Sequence, residues 1–181
     1  MPASRARYRR TARRKMLMTR PTLIGAVLAA VVSQQPPAPP PPAAKPFALS
    51  VALEAAQAAL ASCQSAGAPA VVEVMDTAFN PKVILAADGS RPNLIEFARR
   101  KAYTVIKTGM SSAEFGASVG PQGRGAPPIN GDANLITFGG GLPIKVGADL
   151  VAALSVSGPT GPAADEACAK AGLDRIKDRL K

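Results

Sequence analysis

The run Val71-Val72-Glu73-Val74-Met75-Asp76-Thr77-Ala78-Phe79-Asn80-Pro81-Lys82-Val83-Ile84-Leu85-Ala86-Ala87 places two apolar, β-branched segments on either side of a connector ending in Asn80-Pro81. Asn and Pro favour turns, so the pattern predicts a hairpin of two strands, Val71–Asp76 and Lys82–Ala87. Upstream, Ser50 is a candidate N-cap for a helix to about Ala66, with Leu53, Ala56, Leu60 and Cys63 on its apolar stripe and Gly67 as its left-handed stop. Downstream, Pro92 opens a helix through Lys107 that Gly109 closes, and its core face is Leu94, Ala98, Ala102 and Val105. Ser111 and Glu114 form a capping box for a short helix to about Ser118, followed by a Gly- and Pro-rich loop from Gly120 to Asn134. Further strands are predicted at Leu135–Phe138, Leu142–Val146 and Leu150–Ser157, the last two joined at Gly147-Ala148 by a type II′ turn. A final helix spans Pro162 to Leu180, with Asp165 and Glu166 in its first turn and Lys177 and Arg179 in its last, matching the helix dipole. This order lacks the strict strand–helix alternation of a doubly wound fold. It predicts an α+β domain with a five-stranded antiparallel sheet flanked by helices.

The chain has 181 residues, with 22 Lys and Arg against 12 Asp and Glu, no His, two Cys and 18 Pro. The absence of His excludes Ser-His-Asp and Cys-His catalysis, histidine metal sites and a proximal-histidine haem. Two Cys cannot complete a four-ligand zinc or iron–sulfur site. The net charge of +10 points at first to nucleic acid or an anionic membrane. However, nine basic and no acidic side chains lie in residues 1–46, leaving 13 basic against 12 acidic in residues 47–181. No nucleic-acid partner is therefore expected. Behind the basic stretch, the apolar run from Thr22 to Ser33 is too short for a stable transmembrane span, which takes about 20 residues. It has the length of a signal-peptide core, with small residues at Val31-Val32-Ser33 for cleavage. Residues 1–33 thus read as a signal peptide in which Arg13-Arg14-Lys15 is a loose twin-arginine pattern, unless translation starts at Met16 or Met18. Residues 34–46, with seven prolines, read as an extended polyproline II linker. The folded domain is then residues 47–181, and the protein is expected to be periplasmic or secreted.

A few groups could carry chemistry. Gly139-Gly140-Gly141 fits neither G-x-G-x-x-G nor the P-loop pattern and precedes a strand, so it reads as permitting positive φ or close backbone approach. Arg99, Arg100 and Lys101 lie mid-helix, where successive residues point about 100° apart. Either one turns inward as a clamp for a carboxylate or phosphate, or all three form a solvated helix face. Without His, a haem iron here takes tyrosinate, Met, Cys or another oxygen ligand, and Tyr103 is the only tyrosine outside the leader. The other reading of Tyr103 is a half-buried surface aromatic. Cys63 and Cys168, on the apolar faces of the first and last helices, either pair in an oxidising compartment or stay as small buried thiols. No S-x-x-K motif and no distinctive carboxylate pair stands out, so no catalytic residue is assigned.

Arg99-Arg100-Lys101-Ala102-Tyr103-Thr104, Gly139-Gly140-Gly141-Leu142-Pro143-Ile144, Val156-Ser157-Gly158 and Asp165-Glu166-Ala167-Cys168-Ala169, with Asp88-Gly89 after the hairpin, together resemble the GlcG/HbpS (DUF336-like) family of haem-binding and haem-degrading proteins. The similarity runs from about Ala52 to Ile176. It implies a profilin-like or PAS-like antiparallel sheet, homo-oligomeric assembly, export in some members, and binding of haem or a related tetrapyrrole in some. The chain departs from the family at Phe79, where a glycine is usual, and at Ala152 and Ser155, which replace glycines of the last strand. Asn93 stands where some relatives have a histidine. A haem held by this chain therefore takes an oxygen or sulfur ligand. Tyr103, Thr104 and Met110 lie nearest the family's K-A-x-T segment, Tyr103 or Thr104 being the iron ligand, with Arg100 or Lys101 steadying the propionates. The expectation is an extracytoplasmic module for haem, another tetrapyrrole or a small anionic ligand, acting as a sensor or scavenging accessory. The rivals are a small enzyme or accessory in 2-hydroxy-acid metabolism and a structural oligomer without ligand.

Overall fold

The computed structural model describes residues 47–120, 129–158 and 160–180. The signal-peptide and linker readings, and residues 121–128 of the Gly- and Pro-rich loop, lie outside the described residues. The hairpin forms as its two β-branched segments dictate: β1 (Val71–Asp76) and β2 (Pro81–Ala86) pair antiparallel, with Val71 opposite Ala86 and Val74 opposite Val83. Asp76 builds the connector, its Oδ1 accepting from the amides of Ala78 at 2.9 Å and Asn80 at 3.0 Å. A second hairpin, β3 (Gly141–Val146) with β4 (Asp149–Ser157), docks through β4 onto β1. The result is a four-stranded antiparallel sheet in the order β2-β1-β4-β3.

Among the described residues, four α-helices accompany the sheet: α1 (Leu49–Ser65), α2 (Asn93–Thr108), α3 (Ser112–Ser118) and α4 (Pro162–Ile176). α1 and α4 pack on one face and α2 on the other, over β1 and β4. Along β1, Val72 and Val74 point to α1 and α4 while Val71 and Met75 point to α2. A strand covered on both faces buries side chains pointing either way, which explains why the run does not alternate. The α1–α4 interface is built from small residues. Ala52, Ala55, Ala56 and Ala59 are all buried, and a methyl group on Gly172 would lie 2.7 Å from the Ala55 carbonyl oxygen. Across it Cys63 and Cys168 form a disulfide, with Cα atoms 5.5 Å apart.

The strand expected at Leu135–Phe138 does not form, so the sheet has four strands rather than five. The Leu135 carbonyl accepts from the Arg100 guanidinium, and the Ile136 amide donates to the Thr104 hydroxyl at 3.0 Å. Backbone groups already paired with α2 cannot also complete a ladder. Ser50 is not the N-cap of α1. Ala48 takes that place without a side-chain bond, and Ser50 lies inside the first turn. Leu53 is 39% exposed, because at such close approach to α4 the helix turns its alanines inward and leaves leucine outside. The last helix ends at Ile176 and tightens into a 3₁₀ turn over Lys177–Arg179, short of the expected Leu180. The capping box at Ser111 and Glu114 forms with both bonds, and Gly109 closes α2 at φ +73°.

Candidate functional site

α2 buries Leu94, Ala98, Ala102 and Val105 against the sheet, as its spacing predicts. Lys101 also turns inward and is 2% exposed. Its Nζ donates to the Val156 carbonyl at 2.8 Å and to Asp165 Oδ2 at 2.6 Å. Burial pushes the Lys101 pKa down and the Asp165 pKa up, and in each case the partner's charge opposes the shift. The inward-turning member of the basic run thus meets a carboxylate of its own chain, supplied by the first turn of α4. The glycine triplet makes room for this pair. A Cβ on Gly140, at φ +113°, would lie 2.7 Å from the Val156 oxygen, and one on Gly141 would lie 2.8 Å from the Lys101 carbonyl oxygen. Close approach, not phosphate binding, accounts for these glycines. The four motifs that carry the sequence resemblance converge on this one ion pair. Beside it lies a cleft of about 280 Å³ lined by Leu94, Phe97 and Phe138, by Gly158 and Asp165, and by Arg91 and Asn93.

A second cleft, of about 250 Å³, uses a different stripe of α2: Glu96, Arg99, Arg100 and Tyr103, with Met75 and Phe79 from the sheet side. Tyr103 Oη donates to Asp132 Oδ2 at 2.9 Å. That bond raises the Tyr103 pKa, while the Asn134 amide and the Tyr103 hydroxyl hold Asp132 down. Phe79 sits at φ +64°, a left-handed backbone that costs a non-glycine residue about 1–2 kcal/mol. The Asp76 hydrogen bonds on either side of it keep it there, and its ring lies 4.9 Å from the Tyr103 ring. The residue that replaces the family's glycine therefore keeps the glycine-like backbone and adds an aromatic face. Ser155, the other notable replacement, donates to the Ala98 carbonyl at 2.8 Å and fastens β4 to α2.

Of the residues proposed from sequence, Arg100 and Tyr103 share the second cleft, and Lys101 belongs to the first. Thr104 is fully buried: its hydroxyl donates to the Arg100 carbonyl at 2.8 Å and accepts from the Ile136 amide at 3.0 Å, so it fastens a chain segment and faces neither cleft. Met110 packs with Tyr103 against Phe115, Ile129 and Leu135. Asn93 lines the first cleft. Among the described residues no group of three or more His, Cys, Asp or Glu could hold a metal ion. Two buried acids escaped the sequence reading. Glu73 had a visible signal, as the lone charge within Val71–Met75, and burial pushes its pKa to about 7. Asp165 was visible only in a helix first turn and in one of the resemblance motifs, neither of which points to a partner 64 residues away.

Comparison with known proteins agrees with this architecture. A crystal structure of a double mutant of Streptomyces reticuli HbpS is 28% identical with a TM-score of 0.64, covering 76% of this chain and 97% of that one. Klebsiella pneumoniae ORFY, at 24% identity and a TM-score of 0.64, covers 72% and 90%. The complex of PduOC with haem, at 21% identity and a TM-score of 0.65, covers 73% and 96%. At these two lower identities the likeness concerns the fold alone. No curated protein matches the sequence significantly. Residues 47–174 match the family described as haem degrading protein HbpS-like, and the chain belongs to that family.

Proposed function

We propose that the protein is a haem- or tetrapyrrole-binding module working outside the cytoplasm, with the Tyr103 cleft as its ligand site. The observation that carries the reading is the convergence of Phe79, Tyr103, Arg99 and Arg100 on one cleft. A haem presents an apolar plate, two carboxylates and a metal, and these residues match each part: an aromatic face, two guanidiniums and a phenol oxygen. Bound haem would supply redox-active iron, which Tyr103 would hold through its phenol oxygen. Tyr103 holds its proton at Oη, directed at Asp132, so ligation requires moving that proton to Asp132 or to water. Arg99 and Arg100 neutralise the propionates. Strain kept at Phe79 marks a position whose side chain is needed where it stands. The family's description as haem degrading supports the same ligand class.

The Cys63–Cys168 disulfide supports an oxidising compartment, in line with the leader reading. Among the described residues no helix is long and apolar enough to cross a membrane. Homo-oligomeric assembly belongs to the same reading, because a cleft of about 250 Å³ takes one edge of a macrocycle and a second copy would cover the rest. The test is titration of the full chain with haemin. A saturable Soret shift is expected at micromolar haemin, changed in position by Tyr103→Phe and weakened about tenfold by Arg99→Gln with Arg100→Gln. Absence of any saturable spectral change would overturn the reading, and an unaltered spectrum in Tyr103→Phe would remove the phenol as ligand.

A further inference from the structure

The Asp165 cleft plays no part in that site and carries its own signature. Asp165 is 3% exposed, and its Oδ2 is taken by Lys101. Its Oδ1 has no hydrogen bond of full geometry within the described residues, although the Gly158 amide lowers the carboxyl pKa. A buried carboxylate oxygen left unpaired carries an uncompensated desolvation cost, so an acceptor of this kind fits an incoming donor. The rest of the cleft describes the molecule that would bring it. Phe97, Leu94 and Phe138 form apolar walls, and Phe138 stays 49% exposed, with its ring available to a partner. Arg91 and Asn93 lie at the start of α2, while Lys101 lies seven residues beyond Leu94, roughly 10 Å along the helix. At about 280 Å³ the cleft is at the small end for ligand sites and suits a single ring.

We infer that this cleft binds a small aromatic acid whose ring lies between Phe97 and Phe138, with a hydroxyl at one end donating to Asp165 Oδ1 and a carboxylate at the other paired with Arg91. The Lys101–Asp165 pair is then the fixed floor of a recognition site: Lys101 orients the carboxyl group through its hydrogen bond, and the ligand's hydroxyl completes the hydrogen bonding. A ring without the hydroxyl leaves Oδ1 as it found it and gains only the apolar contacts.

The test is isothermal titration of the full chain with 4-hydroxyphenylacetate and, in parallel, phenylacetate, which differs only in lacking the phenol. Saturable binding of the hydroxylated acid is expected, with phenylacetate about tenfold weaker. Gly158→Ala puts a methyl group 3.0 Å from Oδ1 at a residue of ordinary backbone conformation, and should weaken binding by a similar factor. Arg91→Gln, at an exposed position, should do the same for the carboxylate end and serves where Gly158→Ala lowers the melting temperature. Tyr103→Phe should leave this binding unchanged, so failure here and failure of haem binding are read separately. Equal affinity for the two acids, no saturable heat at millimolar probe, or indifference to both cleft variants would overturn the inference.

Discussion

Glu73 is a carboxyl placed by strand geometry in the middle of β1, 1% exposed, with Oε2 unpartnered. Burial raises its pKa to about 7, Arg99 on α2 opposing the shift and Glu96 adding to it. Because the folded value lies above the unfolded value of 4.5, the native state favours the protonated form. Its contribution to stability is therefore complete below about pH 4.5 and is lost as pH rises to about 7, by about 3 kcal/mol. Glu73→Gln should be markedly more stable than the parent at pH 8 and near-equal at pH 4.5 in urea unfolding. An equal gap at both pH values would show that titration of this carboxyl is not the cause. The sequence displayed Glu73 plainly as a charge in an apolar strand. What it could not display was that α2 covers this face, since that depends on Ala98 and Ala102 arriving from another element. Asp165 was even less legible, because only tertiary packing sets it against Lys101.

At the scale of elements, the α1–α4 pair is the tightest junction, with alanine and glycine contacts crossed by the Cys63–Cys168 bridge. The bridge closes a sequence separation of 105 residues, and a loop of that order contributes about 4–5 kcal/mol in the chain-entropy model. Reduction, or Cys63→Ala with Cys168→Ala, should lower stability by several kcal/mol in denaturant melts without changing the helix content of the native state. A shift below about 1 kcal/mol would mean that alanine packing alone fixes the pair. Elements governed by local rules were readable in advance. α2 took its core face from 3.6-residue spacing, and Ser111 with Glu114 capped α3. The segment Leu135–Phe138 was misread because its residues favour strands, while its fate is set by Arg100 and Thr104, which reach across from α2 and take its backbone groups. The two clefts were legible only in part: the basic run and Tyr103 were visible, but their division between two stripes of one helix was not.

For the molecule as a whole, the family match begins at Phe47, which belongs to the buried core that α1 and the sheet share. A fragment of residues 47–181 should therefore unfold cooperatively with a midpoint within about 2 °C of the full chain. A much lower midpoint would place part of the stabilising structure in the first 46 residues. The charge follows the same division, since 13 basic and 12 acidic side chains in residues 47–181 nearly cancel. One further trait belongs to this scale. Among the described residues the sheet ends in β2 and β3, and each carries a proline and a lysine: Pro81 and Lys82 on β2, Pro143 and Lys145 on β3. Proline withholds an amide proton from any newcomer, and lysine sets a charge against it. Copies that associate must then meet through helices and loops rather than by lengthening the sheet. The same four side chains guard the protein, at high concentration, against the endless strand-by-strand stacking that unprotected edges invite.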